Sequence, residues 1–171
     1  MPVVRIDSSA PTRIDLAGGT LDIWPLYLFH DNAQTLNAAI SLRAHCSIRG
    51  RRDSRVRLIS EDTGAEVEAD DWHALDGGGP LPLLSRLVRY FHVNGVDLIT
   101  RSESPFGAGI AGSSALNVAV AGGLAAWTER EIPAETLLGI TMNVEAQVIN
   151  VPTGAQDYRP AYYGGVSSVK L

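Results

Sequence analysis

Residues 104–124, SPFGAGIAGSSALNVAVAGGL, constrain this chain more than any other stretch: a glycine-rich turn runs straight into two serines and then a long apolar segment. Gly107, Gly109 and Gly112 remove side chains where a backbone must approach something closely or take positive φ. Ser113 or Ser114 can cap the helix that follows by accepting from its first free N–H groups. Leu116, Val120, Leu124 and Trp127 then recur at spacings of four, four and three, one face of a helix. A loop that ends at a helix N-terminus gathers free N–H groups and the positive end of the dipole, so the stretch reads as a phosphate cradle. Two familiar loop types fail in detail. Gly107-x-Gly109-x-x-Gly112 has the dinucleotide spacing, but that fingerprint needs a strand running into its first glycine, and Ser102, Glu103, Ser104 and Pro105 intervene. Gly107-x-x-x-x-Gly112-Ser113-Ser114 lacks the lysine of a P-loop. The bland alternative is a glycine turn before a core helix.

A chain of 171 residues is long enough for one domain with its own core. Its formal net charge of −5 argues against a general binder of nucleic acid or membrane surface. It leaves ATP open, because a phosphate site needs only local donors. Cys46 is the only cysteine, so no intrachain disulfide can form. No apolar run approaches the length of a bilayer span. The opening MPVVRIDSSAP lacks the charged-then-apolar pattern of a signal peptide. These features lead to the expectation of a cytoplasmic protein.

Val3–Ile6 and Arg13–Ala17 read as two strands separated by Ala10-Pro11-Thr12, and Gly18-Gly19-Thr20 breaks the second. Leu21–Phe29, with Pro25 inside, reads as loop or a short helical turn. Gln34–Ile40, Ala44–Arg49, Arg55–Ser60 and Glu66–Ala69 read as strands, the last two joined by the Asp62-Thr63-Gly64 turn. Leu83, Leu84, Leu87, Val88 and Phe91 make a helical face that Asn94-Gly95 should end. Val96–Arg101 is a strand that delivers the chain to the glycine loop. Leu137, Leu138, Thr141, Val144 and Val148 predict a helix from about Ala134 to Ile149, stopped by Val151-Pro152-Thr153-Gly154. Val166–Lys170 is a final strand. Strands come first and helices later, which favours α+β over a doubly wound sheet. His30, His45, His73 and His92 show no metal spacing and no identifiable carboxylate partner.

Three stretches together resemble one family. Pro105-x-Gly107-Ala108-Gly109-Ile110, a small residue, then Ser113-Ser114-Ala115 is similar to the nucleotide loop of the GHMP kinases, the group of galactokinase, homoserine, mevalonate and phosphomevalonate kinases. APTRIDLAGGTLDIWP, from Ala10, resembles the family's first motif in its sugar-kinase form, and VEAQVINVPTGAQDYRPAYYGG resembles a downstream stretch of heptose-phosphate kinases. The order of the three is more specific than any one of them.

The resemblance implies an α+β fold, the two-layer sandwich of ribosomal protein S5 domain 2, with mostly antiparallel strands and a βαβ crossover of unusual hand. It implies that Pro105, Gly107, Ala108, Gly109, Ile110, Gly112, Ser113, Ser114 and Ala115 bind the nucleotide of ATP. Ser114 and Glu145 would share Mg²⁺, with Ser113 the other candidate serine, because Ala111-Gly112 stands where one glycine is usual. Arg13 would face the reacting phosphate and Asp157 the acceptor hydroxyl, as catalytic residues. Asp22, Gly18, Gly19 and Gln156 would bind a sugar or sugar phosphate, with Trp24 close enough to line that side. Gly19 and Thr20 replace a glutamate and a histidine of galactokinases, which weakens galactose as the acceptor. Taken singly, Asp157 reads as a turn residue, Glu145 as a solvated helix charge and Arg13 as a surface strand residue.

The function implied is transfer of the γ-phosphate of ATP to a hydroxyl of a sugar or sugar phosphate. The alternatives are a GHMP kinase of isoprenoid or amino-acid metabolism, acting on mevalonate, phosphomevalonate or homoserine, and a non-catalytic nucleotide-binding remnant. Residues 1–171 would be the N-terminal ATP-binding domain. Family members run to about twice this length, so the usual C-terminal domain is expected to be absent from this chain. An exposed apolar face and self-association, or a partner supplying that domain, are expected with it.

Overall fold

The structure, a computed structural model, describes residues 4–171; Val3 of the first expected strand lies outside them. The chain runs out along β1 (Arg5–Ala17) and returns antiparallel along β2 (Gln34–Gly50). The 17-residue β2 is the spine of the sheet. Its second edge is shared: β5 (Val96–Ser102) pairs antiparallel with Ala44–Gly50, and β6 (Val166–Lys170) with Gln34–Ala38. Outward from β5 lie β3 (Val56–Ser60), parallel to it, and β4 (Ala65–Ala69), antiparallel to β3. The order is β1-β2-β5-β3-β4, with β6 beside β2.

Alternation decides which face is covered. Ala44, Cys46 and Ile48 on β2, Val56 and Leu58 on β3, and Val96 and Leu98 on β5 are all buried. Between them Arg43, His45, Arg57 and Arg101 point the other way, the pattern of an antiparallel sheet wet on one side. Four helices cover the apolar face: α1 (Pro82–Phe91), α2 (Gly112–Trp127), α3 (Ala134–Ile149) and the six-residue α4 (Tyr158–Tyr163). The central helix α2 packs on β1, β2 and β5 and touches α1, α3 and α4. It is buried almost all round, and Ser8 of β1 ties it to the sheet by donating to the Ala119 carbonyl at 2.7 Å. At the β1–β2–β6 end of the other face, Ile14, Leu16, Leu36 and Val166 are exposed. No helix of the described residues is long and apolar enough to cross a membrane.

Several expectations change. The two opening strands are one, because β1 is an edge strand and tolerates Pro11, with a register shift between Pro11 and Arg13. The two strands expected over 34–49 are also one continuous β2. α1 ends at His92, which takes the left-handed conformation (φ 56°), ahead of Asn94-Gly95. α4 has no counterpart among the elements expected from the sequence. His45 and His73 do have carboxylate neighbours, Glu103 at 2.9 Å and Asp71 at 3.7 Å.

Candidate functional site at the N-terminus of the central helix

β5 delivers the chain to the glycine loop, as expected, and the loop ends at α2. Neither serine caps the helix. Ala111 stands at the N-cap in the left-handed conformation (φ 58°), and no side chain bonds the first turn. The first N–H groups of α2 are therefore available to an anion. The helix starts one step earlier than the serines, at Gly112. Both serines lie in the first turn and aim across at α3. Ser113 Oγ donates to Glu145 Oε1 at 2.6 Å, and Ser114 Oγ donates to Oε2 at 3.0 Å. The Tyr158 hydroxyl also donates to Oε2. Glu145 is 5% exposed, so three hydroxyls compensate a buried carboxylate. Burial and Glu145 push the Tyr158 hydroxyl well above its ordinary pKa, which keeps it protonated.

Arg13 joins the loop to the opposite wall. Its backbone N–H donates to Ile110 O at 3.1 Å, and its Nη1 donates to Gly109 O at 3.3 Å. Its Nε donates to Asp157 Oδ1 at 2.8 Å, and Nη2 donates to the same oxygen. Asp157 stands at the end of a short 3₁₀ turn, Ala155–Asp157. Burial raises its carboxyl above the ordinary value, against the pull of Arg13, and Glu145 adds to the rise.

Asp22 follows the Gly18-Gly19 turn after β1 and is 4% exposed. Its Oδ2 accepts from the Gln156 N–H at 2.7 Å, while Oδ1 has no partner. A Cβ on Gly154 would lie 2.3 Å from this carboxylate, so only glycine fits there. Burial raises the Asp22 carboxyl as well, and Asp157 adds to the rise. Gln156 is buried, its Oε1 unpartnered. Trp24, more than half exposed, lines a surface depression with Met142, Asn143 and Thr153.

The arrangement therefore brings together Arg13, Gly109, Ile110, Ser113, Ser114, Glu145 and Asp157 from the three motifs. Pro105 and Ala108 form a turn of the loop, the Ala108 N–H donating to Pro105 O at 3.2 Å. Ala115 is fully buried, and its N–H donates to Ala111 O at 3.0 Å. Among the described residues no group of three His, Cys, Asp or Glu side chains is placed to hold a metal. One carboxylate with two hydroxyls is an all-oxygen set; it suits a hard cation that keeps waters and phosphate oxygens as its other ligands.

A model of the GHMP kinases N terminal domain matches residues 81–165, which run from α1 through the loop to Gly165. The chain belongs to the GHMP kinase family. Over 172 aligned positions it is 32% identical to a D-glycero-alpha-D-manno-heptose 7-phosphate kinase of Campylobacter jejuni, an alignment covering 97% of this chain and 50% of that protein. A D-glycero-D-manno-heptose 1-phosphate kinase from Bacteroides thetaiotaomicron superposes with a TM-score of 0.86 at 23% identity, over 98% of this chain and 56% of that one. A putative sugar kinase from Campylobacter jejuni gives 0.81 at 27%, over 98% and 52%. The mevalonate kinase of Methanococcus jannaschii gives 0.80 at 13%, over 98% and 54%, a likeness of fold. The chain spans about half the length of these relatives. The α+β fold expected from the resemblance is thus that of a GHMP kinase N-terminal domain.

Within this GHMP domain one residue of the site, Tyr158, carries no signal in the sequence. It lies beside Asp157 on a helix of six residues, too short for its periodicity to show which side chains turn inward.

Proposed function

We propose that this GHMP domain holds the reacting groups of an ATP-dependent kinase that phosphorylates a hydroxyl of a sugar or sugar phosphate. The observation that carries the reading is Arg13, bonded at once to the glycine loop and to Asp157. Phosphoryl transfer asks a protein mainly for positioning and for neutralisation of charge. The loop and the free N–H groups of α2 would hold the phosphates of ATP. Arg13, always charged, offsets the negative charge that builds on the transferred group. Asp157 orients the acceptor hydroxyl and takes its proton as the new O–P bond forms and ADP leaves. Its raised pKa brings it nearer the range in which a base is effective. Ser113 or Ser114 with Glu145 would hold Mg²⁺, which supplies a Lewis-acid clamp on the phosphate oxygens when bound. Asp22, Gly18, Gly19 and Gln156 would form the acceptor side, where Asp22 Oδ1 is buried without a partner. The same reading puts the protein in the cytoplasm, where ATP is supplied.

A sugar-phosphate acceptor is favoured over mevalonate because the heptose-phosphate kinase relative is 32% identical, against 13% for the mevalonate kinase structure. Thermal denaturation with Mg-ADP or Mg-ATP tests the nucleotide half: the melting temperature should rise, and no shift at millimolar nucleotide would overturn it. ADP release in the presence of heptose phosphates, other sugar phosphates, mevalonate and homoserine tests the acceptor half. Turnover with mevalonate or homoserine and none with sugars would replace the sugar reading.

A further inference from the structure

Tyr158 has no part in the mechanism above, yet it is the bulkiest side chain of the interior, with no exposed surface at all. A ring in that position needs only packing. A hydroxyl there is costly unless paired, and this one is spent on the only buried glutamate of the site. The two oxygens of Glu145 are consequently unequal. Oε2 receives two donors, Ser114 Oγ and Tyr158 Oη, both on buried residues. Oε1 receives only Ser113, which is exposed at the start of α2. One oxygen of the carboxylate is thus held by two buried donors, and the other by the exposed Ser113 in the first turn of α2.

Resting on the kinase reading, we propose that Tyr158 is a positioning residue: its hydroxyl clamps Oε2 so that Oε1 is presented, beside the helix N-terminus, to the divalent cation that accompanies the nucleotide. Without the clamp the glutamate has other rotamers open to it, and a ligand that must be ordered on binding binds more weakly. Partners that fix a metal ligand from behind typically contribute 10- to 100-fold in metal affinity. The low end is expected here, because Ser114 still holds the same oxygen.

Tyr158→Phe removes the hydroxyl and keeps the ring, and ADP affinity measured by calorimetry with Mg²⁺ and again with EDTA separates the two roles. The ratio of the two affinities should fall about 10-fold in the variant, while the affinity in EDTA stays within about 2-fold of the parent. An unchanged ratio, or an equal loss with and without Mg²⁺, would overturn the clamp. Glu145→Gln supplies the second arm. Since Tyr158 acts through Glu145, adding Tyr158→Phe to Glu145→Gln should cost no further Mg²⁺ dependence, and a further loss would also count against it. Parent protein whose ADP binding gains nothing from Mg²⁺ would overturn the metal half of the kinase reading and the clamp together. A parent that gains while the Phe variant gains equally would overturn the clamp alone.

Discussion

The two glycine-bearing loops that face each other across Arg13 are built on opposite principles. In the loop before α2, Gly107 and Gly109 take positive φ (73° and 70°), and a Cβ on either would meet nothing within 4 Å. Phe106 between them and β5 is fully exposed. These glycines serve backbone shape, and the space around them is left for something else. In the loop after α3, Gly154 is pressed on the Asp22 carboxylate, and the same Asp22 holds the Gln156 N–H. That glycine serves contact, and its loop is braced from within the protein. A receptive loop opposite a braced one is the division of labour expected when a flexible polyphosphate must be gathered on one side and a single proton acceptor aimed on the other.

Substitutions can break this contrast. The largest effect is expected at the braced side's chemistry: Asp157→Asn should lower kcat by about 10²- to 10⁴-fold while nucleotide affinity, by calorimetry, moves within about 2-fold. A parallel collapse of nucleotide binding would mean that the two loops are one unit. Next comes Gly154→Ala. Its Cβ has no room beside Asp22, and overpacking of this kind costs about 1–3 kcal/mol, seen as a melting temperature lower by several degrees. Gly109→Ala should cost less, about 1 kcal/mol for the left-handed backbone alone, and should weaken ADP binding more than it lowers the melting temperature. If Gly109→Ala destabilised more than Gly154→Ala in the same thermal series, the contrast would be reversed.

The smallest effect concerns pH. The folded-state pKa of Asp22 is raised, so its protonated form adds stability in full below the ordinary carboxylate value of 3.8, and that contribution is lost as pH rises through the raised value. Asp22→Asn has no such loss. The melting temperature of the variant minus that of the parent should therefore be more positive at pH 7 than at pH 4. A difference that shrinks with rising pH would show that Asp22 is held as a favourable charge.

Long periodic elements are legible in the residue pattern alone. The spacing of Leu137, Leu138, Thr141 and Val144 leads to the observed bounds of α3, Ala134–Ile149, and the final strand spans Val166–Lys170 as its pattern suggests. Continuity is harder to read. Pro11 looks like a break, but an edge strand has an unpaired side on which a missing N–H costs nothing. Ser41-Leu42-Arg43 interrupts the alternation of β2, yet β1 runs beside it while β6 hands over to β5 on the other edge. In the site, the glycine loop and its helix are visible as local pattern. The pairing of Arg13 with Asp157 spans 144 positions, and no spacing rule reaches that far; family resemblance supplies it. The serines depart from their expected capping role for a related reason. Capping is a local rule, and a buried glutamate 31 and 32 positions away outcompetes it.

One interior residue offers a use of a different kind. Cys46 lies on β2 under the helices at 2% exposure, and burial pushes its thiol up to about 12, so in the native state it is neither reachable nor ionised. As the sole cysteine it makes the protein its own chemical timer. An alkylating reagent can mark it only when the core between the sheet and its helices opens, so the labelling rate reports that opening. Any ligand that seats at the start of α2 should slow that rate in proportion to its occupancy.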